Sequence, residues 1–291
     1  MSNHPLAEIF GFPANNLSIT AERYRKNRLC PYNNKVPSCT KDKAKDPLGV
    51  CSIYEGEHIA ITCPVRFRQG WLIVEDAAKF LFSSSTTWTS LQEIRLNDAQ
   101  GKSAGNIDFV LVAYDEIGQI TNFGSLEVQA VYISGNVRQP FRQYMSDREA
   151  NQAMIWTATN VRADYLSSSR KRLVPQMLYK GAIMQAWQKK QVVALHRTFY
   201  DTLPDLPEAP QHQADIAWLV YDLEFVKPQN LYQLVSYKTV YTQFGAALDR
   251  ITTPEAGSIN SFVKRLQKKL DEKLDNSYPP DAPTLADIIN K

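Results

Sequence analysis

A chain of 291 residues, of which 44% are hydrophobic and 22% are charged, has the composition of a globular protein with room for one large domain or two small ones. Its formal net charge of +3 excludes a uniformly basic surface, so affinity for nucleic acid would have to come from local clusters of Lys and Arg. No segment reaches the roughly 18 apolar residues of a membrane span, and residues 1–13 lack a signal-peptide pattern, so we expect a cytosolic protein without a membrane partner.

The first predicted elements follow a polar N-terminal region. Residues 14–66 are rich in Asn, Lys and Pro and show little sustained helical or strand period, which predicts a loop-rich segment that needs a staple other than hydrophobic burial. In Gln69–Phe82 the apolar residues recur at steps of three and four, which is typical of a helix. A second helix is predicted at Thr87–Leu96, and it carries Glu93.

A β-hairpin is predicted next, from strands at Asn106–Tyr114 and Ile120–Ser134. A four-residue turn between them sets a register in which Asp108 faces Glu127, and side chains that face each other across a hairpin have Cβ atoms about 5 Å apart. Because alternate residues of a strand share a face, Gln129 joins them. The hairpin therefore gathers two carboxylates and an amide oxygen.

Such a group of oxygens is a candidate site for Mg²⁺. Two acids held this close repel each other unless a cation joins them, and Mg²⁺ prefers hard oxygen ligands. A metal ion there could lower the pKa of a bound water and polarise a phosphodiester. The spacing alone favours the alternative, an ordinary solvent-facing hairpin with polar residues.

The second half of the chain predicts helices at Asp147–Asn160 and Leu173–Arg197, followed by a Pro-rich loop and strands at Ile216–Phe225 and Leu231–Tyr241. The last dozen residues are expected to form a docked or frayed tail. A late amphipathic helix is predicted by apolar residues that recur at steps of three and four, namely Ile259, Phe262, Val263, Leu266, Leu270 and Leu274.

All cysteines lie in the first quarter of the chain, at Cys30, Cys39, Cys51 and Cys63. Four thiolates bind Zn²⁺ or iron tetrahedrally and leave no position for water, so the cluster predicts a structural metal site rather than a catalytic one. Two disulfides are the alternative, and a reducing cytosol disfavours them.

Polar and basic residues follow the hairpin in two clusters, which are candidates for contacts to DNA phosphates or to guanine bases. They are Arg138, Arg142, Gln143, Arg148, Arg170, Lys171 and Arg172.

Several blocks of sequence resemble the PD-(D/E)xK nucleases and, among these, the NotI-type restriction endonucleases. They are EIFGFP at Glu8–Pro13, the four cysteines with CPY at Cys30 and TCPVRF at Thr62–Phe67, NIDFVLV at Asn106–Val112, and FGSLEVQAVYISG at Phe123–Gly135. The blocks cover roughly the first half of the chain, and no motif is evident beyond about residue 150.

The resemblance implies an α/β (α+β) fold with a mixed central sheet flanked by helices. It divides the chain into an N-terminal Cys₄ region, residues 1–68, and a nuclease domain, residues 69–291. The activity it implies is that of a type II restriction endonuclease, which uses Mg²⁺ to hydrolyse double-stranded DNA at a palindromic GC-rich sequence.

Site residues are implied in the same way. Asp108 and Glu127 would bind the metal, and the main-chain carbonyl of Val128 would complete its shell. Most PD-(D/E)xK enzymes have Lys where this chain has Gln129, a form typical of NotI-type enzymes, in which Gln orients the attacking water. Glu93 resembles a supporting helix glutamate, and a surface residue is the alternative.

The resemblance also implies partners. Iron in the Cys₄ site is the first expectation and zinc the second. A bacterial cytoplasmic homodimer is expected, with a cognate methyltransferase acting on the same DNA site. The competing hypotheses are a non-catalytic DNA-binding protein built around the Cys₄ site and a repair nuclease with little sequence preference.

Overall fold

The computed structural model describes residues 5–43, 45–152 and 160–275. Along the chain there are two compact units, Met1–Thr252 and Thr253–Lys291. The predicted boundary after residue 68 does not coincide with this division and stays a prediction. Among the described helices, none combines the length and the apolar character needed to span a bilayer.

The first unit contains all the described strands. In chain order they are β1 Leu6–Ile9, β2 Phe12–Pro13, β3 Asp42–Lys43, β4 Asp46–Pro47, β5 Val50–Glu55, β6 His58–Ile61, β7 Trp88–Asn97, β8 Ser103–Tyr114, β9 Ile120–Gln129, β10 Tyr132–Ser134, β11 Arg162–Asp164, β12 Gln191–His196, β13 Ile216–Val226 and β14 Leu231–Thr242. The α-helices are α1 Ile19–Lys26, α2 Leu72–Leu81, α3 Arg138–Ser146, α4 Tyr165–Ser168, α5 Val174–Gln176, α6 Ala182–Ala186, α7 Arg197–Tyr200, α8 Phe244–Thr252 and, in the second unit, α9 Ile259–Asp275.

A six-stranded sheet in the order β14-β13-β12-β9-β8-β7 forms the centre of the first unit. Strands β9, β12 and β13 run parallel, whereas the outer pairs are antiparallel. Helix α2 packs its buried residues against one face of this sheet, and the opposite face is covered by a core that includes residues of α3 and of the N-terminal strands. The predicted mixed sheet flanked by helices is confirmed.

The N-terminal region is more regular than its composition predicts. Strands β2, β1, β5 and β6 form a four-stranded antiparallel sheet, and β3 pairs with β4. Glu8 and Arg66 form a fully buried ion pair at 3.0 Å, and Ser52 donates to the same carboxylate. Residues 27–41 contain no named helix or strand, as the predicted loop-rich region requires, whereas α1, β5 and β6 are regular elements too short to leave a readable period.

Two predicted helices are replaced by strands. Thr87–Leu96 is the edge strand β7, whose side chains are mostly exposed on both faces, so the sequence carries no alternation of apolar and polar residues. The C-terminal part of Leu173–Arg197 is β12, which is buried along its whole length. A fully buried parallel strand is a continuous apolar run, and periodicity cannot distinguish it from a helix.

Residues 165–186 form one continuous run of helical turns, which we call the composite helix. It alternates α4, α5 and α6 with two π-helical stretches, Ser169–Leu173 and Met177–Gly181. π-helical turns inside α-helices are frequently found at functional sites.

The remaining predictions are resolved in part. Helix α2, the strand pair β13 and β14, and the amphipathic helix α9 are confirmed. In the predicted helix at Asp147–Asn160, residues 148–151 form a turn and 153–159 lie outside the described residues, as does the predicted tail of the last dozen residues.

Candidate active site

The hairpin formed by β8 and β9 places two carboxylates side by side. Phe109 pairs with Leu126, so the preceding residue of β8, Asp108, lies opposite Glu127. The backbone N–H of Val128 donates to Oδ2 of Asp108 over 2.8 Å. The predicted hairpin register is confirmed.

Glu127 and Gln129 lie on the sheet face that is turned away from α2. Strand β12 places Val193 beside Glu127 and Leu195 beside Gln129, and both neighbours belong to the core on that side. Glu127 is 9% exposed and Gln129 only 1%. Both polar side chains are thus held in largely apolar surroundings.

The composite helix covers these residues and leaves a small cavity of about 20 Å³, lined in part by Glu127, Gln129 and Gln176. Gln129 donates from Nε2 to Oε1 of Gln176. Its own Oε1 and both carboxylate oxygens of Glu127 are buried without a hydrogen-bond partner among the described residues. Unpaired buried oxygens cost free energy, so these atoms indicate a site for a ligand that brings positive charge or hydrogen-bond donors.

Lys180 enters the same cavity from the second π-helical stretch of the composite helix. Its Nζ lies 2.6 Å from Oε1 of Glu127 and donates to the carbonyl of Asn106 over 2.8 Å. The distance between Nζ and Oε1 of Glu127 is that of an ion pair, but the angles are not those of a hydrogen bond. Oε1 therefore still has no hydrogen-bond partner. The sequence singled out Arg170, Lys171 and Arg172 but not Lys180; the only local signal is a lone basic residue in a mainly apolar stretch.

Burial, the largest cause, and the nearby Asp108 carboxylate together raise the pKa of Glu127 to about 8 against the opposing effect of Lys180. In the absence of a divalent cation, Glu127 therefore retains a proton near neutral pH. A divalent cation would favour the ionised carboxylate.

The site lies within a segment that matches a known family. A family model described as restriction endonuclease NotI matches residues 15–234, which include the hairpin, the cysteines and the composite helix. The chain belongs to the NotI restriction endonuclease family. Members of this family are site-specific nucleases that act on double-stranded DNA. No curated protein matches the chain.

In this NotI-family chain Glu93 lies on an edge strand, not on the predicted helix. The register of β7 and β8 brings it opposite Asp108, between the pairs Gln92 with Phe109 and Ile94 with Ile107. Its φ of 57° is in the left-handed region, which is rare for residues other than glycine and is concentrated at functional sites. The carboxylate is exposed and lies 3.4 Å from the Lys35 ammonium.

The predicted DNA-contacting residues of α3 and its C-terminal end are mostly engaged within the protein. Arg138 pairs with Asp42 and Asp46, and Arg148 pairs with Glu22 at 2.7 Å. The longest of these contacts joins Arg142 to Asp46 at 3.9 Å, and the Arg142 side chain is 71% exposed. Gln143 donates to Asn151.

The second basic cluster lies in the first π-helical stretch of the composite helix. Arg170 and Lys171 are exposed, and the Arg172 guanidinium lies 5.3 Å from the ring centre of Tyr132. The next residue, Leu173, lines the carboxylate cavity. These three cations therefore directly precede a residue of the cavity wall, and they lie on the same composite helix as Lys180.

The four cysteines line one small cavity of about 10 Å³ beside the N-terminal sheet, and all four are unpaired thiols. The predicted alternative of two disulfides is therefore absent from the structure. Burial raises the pKa of Cys39 to about 11, and it also raises the pKa values of Cys30 and Cys51.

No group of three or more His, Cys, Asp or Glu side chains in residues 5–43, 45–152 and 160–275 has the arrangement of a metal site. Two cations nevertheless lie against the cysteine cavity, Lys41 and Arg66. Lys41 is half-buried and donates to the carbonyls of Val50 and Thr62 over 2.6 and 2.9 Å. Such cations would offset the excess negative charge of four thiolates around one divalent ion.

Proposed function

We propose that this NotI-family enzyme is a Mg²⁺-dependent type II restriction endonuclease that hydrolyses double-stranded DNA at a palindromic GC-rich sequence. The observation that carries the proposal is the set of buried oxygens of Glu127 and Gln129 that accept no hydrogen bond, beside Asp108. Their chemistry fits Mg²⁺, which takes oxygen ligands and completes its shell with water and phosphate oxygens.

Asp108 and Glu127 would hold the metal ion, with the main-chain carbonyl of Val128 as a further ligand. When bound, the ion would supply Lewis acidity toward the phosphodiester and a more acidic water. The Val128 N–H keeps Asp108 in place by its hydrogen bond. Glu93 would support the site from the neighbouring strand.

Gln129 would orient the attacking water through its unpaired Oε1, because its amide nitrogen is already engaged by Gln176. A neutral amide accepts a hydrogen bond but does not take up a proton at neutral pH. The proton of the attacking water would therefore leave to solvent or to a phosphate oxygen as the new P–O bond forms and a bridging P–O bond breaks.

The cysteine cavity would hold iron, or failing that zinc, in a structural site formed by Cys30, Cys39, Cys51 and Cys63. Four unpaired thiols around one cavity fit such an ion in kind and number. The ion would stabilise the N-terminal region, whose strands are short.

Of the basic residues, the exposed Arg142, Arg170 and Lys171 best fit contacts with DNA phosphates, whereas Arg138 and Arg148 hold the fold through their carboxylate partners. Two equal subunits related by a two-fold axis would read a palindrome, so a homodimer is part of the proposal. A cognate methyltransferase would modify the same DNA sequence.

Incubation of the purified protein with a GC-rich plasmid and Mg²⁺ tests this function. Discrete fragments with uniform ends are expected, and Asp108→Ala and Glu127→Ala should abolish them while DNA binding persists. Retardation of the plasmid without cleavage would instead indicate a non-catalytic DNA-binding protein. A smear would indicate a nuclease with little sequence preference.

A further inference from the structure

Strands β8 and β9, which carry the two carboxylates, contain no Lys or Arg. Gln129 stands where most nucleases with this arrangement have lysine, and the other sheet residues that line the cavity are neutral or acidic. Among the described residues that line the cavity, Lys180 is the one cation, and it comes from the composite helix.

Lys180 is held at the site by specific contacts rather than by chance proximity. Its side chain is 6% exposed, with Nζ 2.6 Å from Glu127 and 2.8 Å from the carbonyl of Asn106. Asn106 lies on the same strand as Asp108. Lysine is almost never buried unless it is paired, and here its partner is a candidate metal ligand, so the placement beside that ligand needs a reason.

Charge balance supplies that reason. Two carboxylates cancel the charge of one Mg²⁺, which leaves the extra negative charge of the phosphodiester transition state without compensation. A preorganised cation in a site closed to water stabilises such developing charge far more than the same cation does in solution.

We propose that Lys180 is a catalytic residue of this site, which contacts a non-bridging oxygen of the scissile phosphate and takes the place of the lysine that the ExQ motif lacks. In the metal-free protein its Nζ lies against Oε1 of Glu127, and in the reaction it faces the phosphate without transferring a proton. The water oxygen bonds to phosphorus, a bridging P–O bond breaks, the water proton leaves to solvent, and the departing oxygen takes a proton from solvent.

The proposal rests on the proposed nuclease function, and a structural alternative must be separated from it. If Lys180 served only as a counter-ion that keeps Glu127 ready for metal, its removal would weaken Mg²⁺ binding, and saturating Mg²⁺ would restore the full rate. If it contacts the phosphate, the loss of rate persists at saturating Mg²⁺.

Lys180→Gln should therefore be compared with wild type in single-turnover cleavage across a Mg²⁺ titration. At saturating Mg²⁺ we expect the rate to fall by about 100-fold, as for the loss of one donor to a developing oxyanion. Thermal unfolding and DNA binding in Ca²⁺ report whether the variant is folded. Lys180→Met, whose uncharged side chain occupies the space of the lysine methylene groups, gives the same test if the Gln variant is unstable.

The matched control is Lys79→Gln, because Lys79 is an exposed lysine of α2 whose pair with Asp76 lies on the surface; its rate should be unchanged. A Lys180→Gln rate that returns to within about threefold of wild type at saturating Mg²⁺ would overturn the catalytic role. If the wild-type protein cleaves DNA in the same assay, the proposed nuclease function stands even in that case. Absence of wild-type cleavage would overturn both proposals.

Discussion

The backbone N–H of Val128 donates a 2.8 Å hydrogen bond to Oδ2 of Asp108, one residue beyond the last ladder pair of the hairpin. At this point a main-chain donor of β9 is used to orient a side chain of β8 instead of continuing the ladder. The carboxylate is held beside Glu127 by backbone geometry, and such preorganisation is what a metal ligand requires.

Asp108→Asn should separate charge from geometry. The Asn side chain retains an oxygen that can accept from Val128, so fold and DNA binding should persist. Cleavage should fall by more than about 100-fold, since even groups that support metal ligands cost up to that factor when they are removed. Single-turnover cleavage in Mg²⁺ and DNA binding in Ca²⁺ check this. A variant that cuts within a few-fold of wild type would exclude Asp108 as a metal ligand.

Glu127→Gln should change how stability depends on pH in the presence of a chelator. The pKa of Glu127, about 8, lies above its ordinary value of 4.5, so the folded protein holds a proton that the unfolded chain releases between these values. Stability is then greatest below the unfolded pKa and falls as pH rises through the folded pKa. The Gln variant lacks this titration and should gain stability relative to wild type as pH rises.

Thermal unfolding midpoints of both proteins, measured in a chelator across that pH range, give the comparison. Addition of Mg²⁺ should raise the wild-type midpoint at the alkaline end and leave the variant nearly unchanged, because ligand binding to the folded state stabilises it. Parallel curves for the two proteins would show that Glu127 does not titrate in this range.

The sequence predicts the acidic pair of the site because it lies on adjacent strands with a short turn between them. Local turn residues and a period of two are sufficient to bring Asp108 opposite Glu127. Lys180 could not be found in this way, since it reaches the pair from a helix that is distant in sequence, and no spacing rule connects them. The same limit applies to β12, which is central to the sheet but has the composition of a buried helix.

Arg170 and Lys171 differ from Arg138 in a way that a salt titration can measure. The first two are exposed on the composite helix, whereas Arg138 is held by Asp42 and Asp46. Changing Arg170 and Lys171 together to Gln should weaken DNA binding and reduce the slope of log affinity against log salt by about 2, one for each phosphate contact. Arg138→Gln should leave that slope unchanged and lower the unfolding temperature. Equal slopes for all three proteins would place the DNA elsewhere.

The cysteine cavity makes a prediction that is independent of catalysis. The purified protein should contain iron or zinc, and denaturation in a chelator should release all four thiols for titration, because none is in a disulfide. Cys51→Ser should lower the metal content and the unfolding temperature, since a structural metal contributes its binding energy to folding. Ser38→Ala, at an exposed serine beside Cys39, is the matched control and should retain both. A chelator should then destabilise wild type and the control but not the Cys51 variant. A wild-type protein that contains neither iron nor zinc would contradict the proposed Cys₄ metal site.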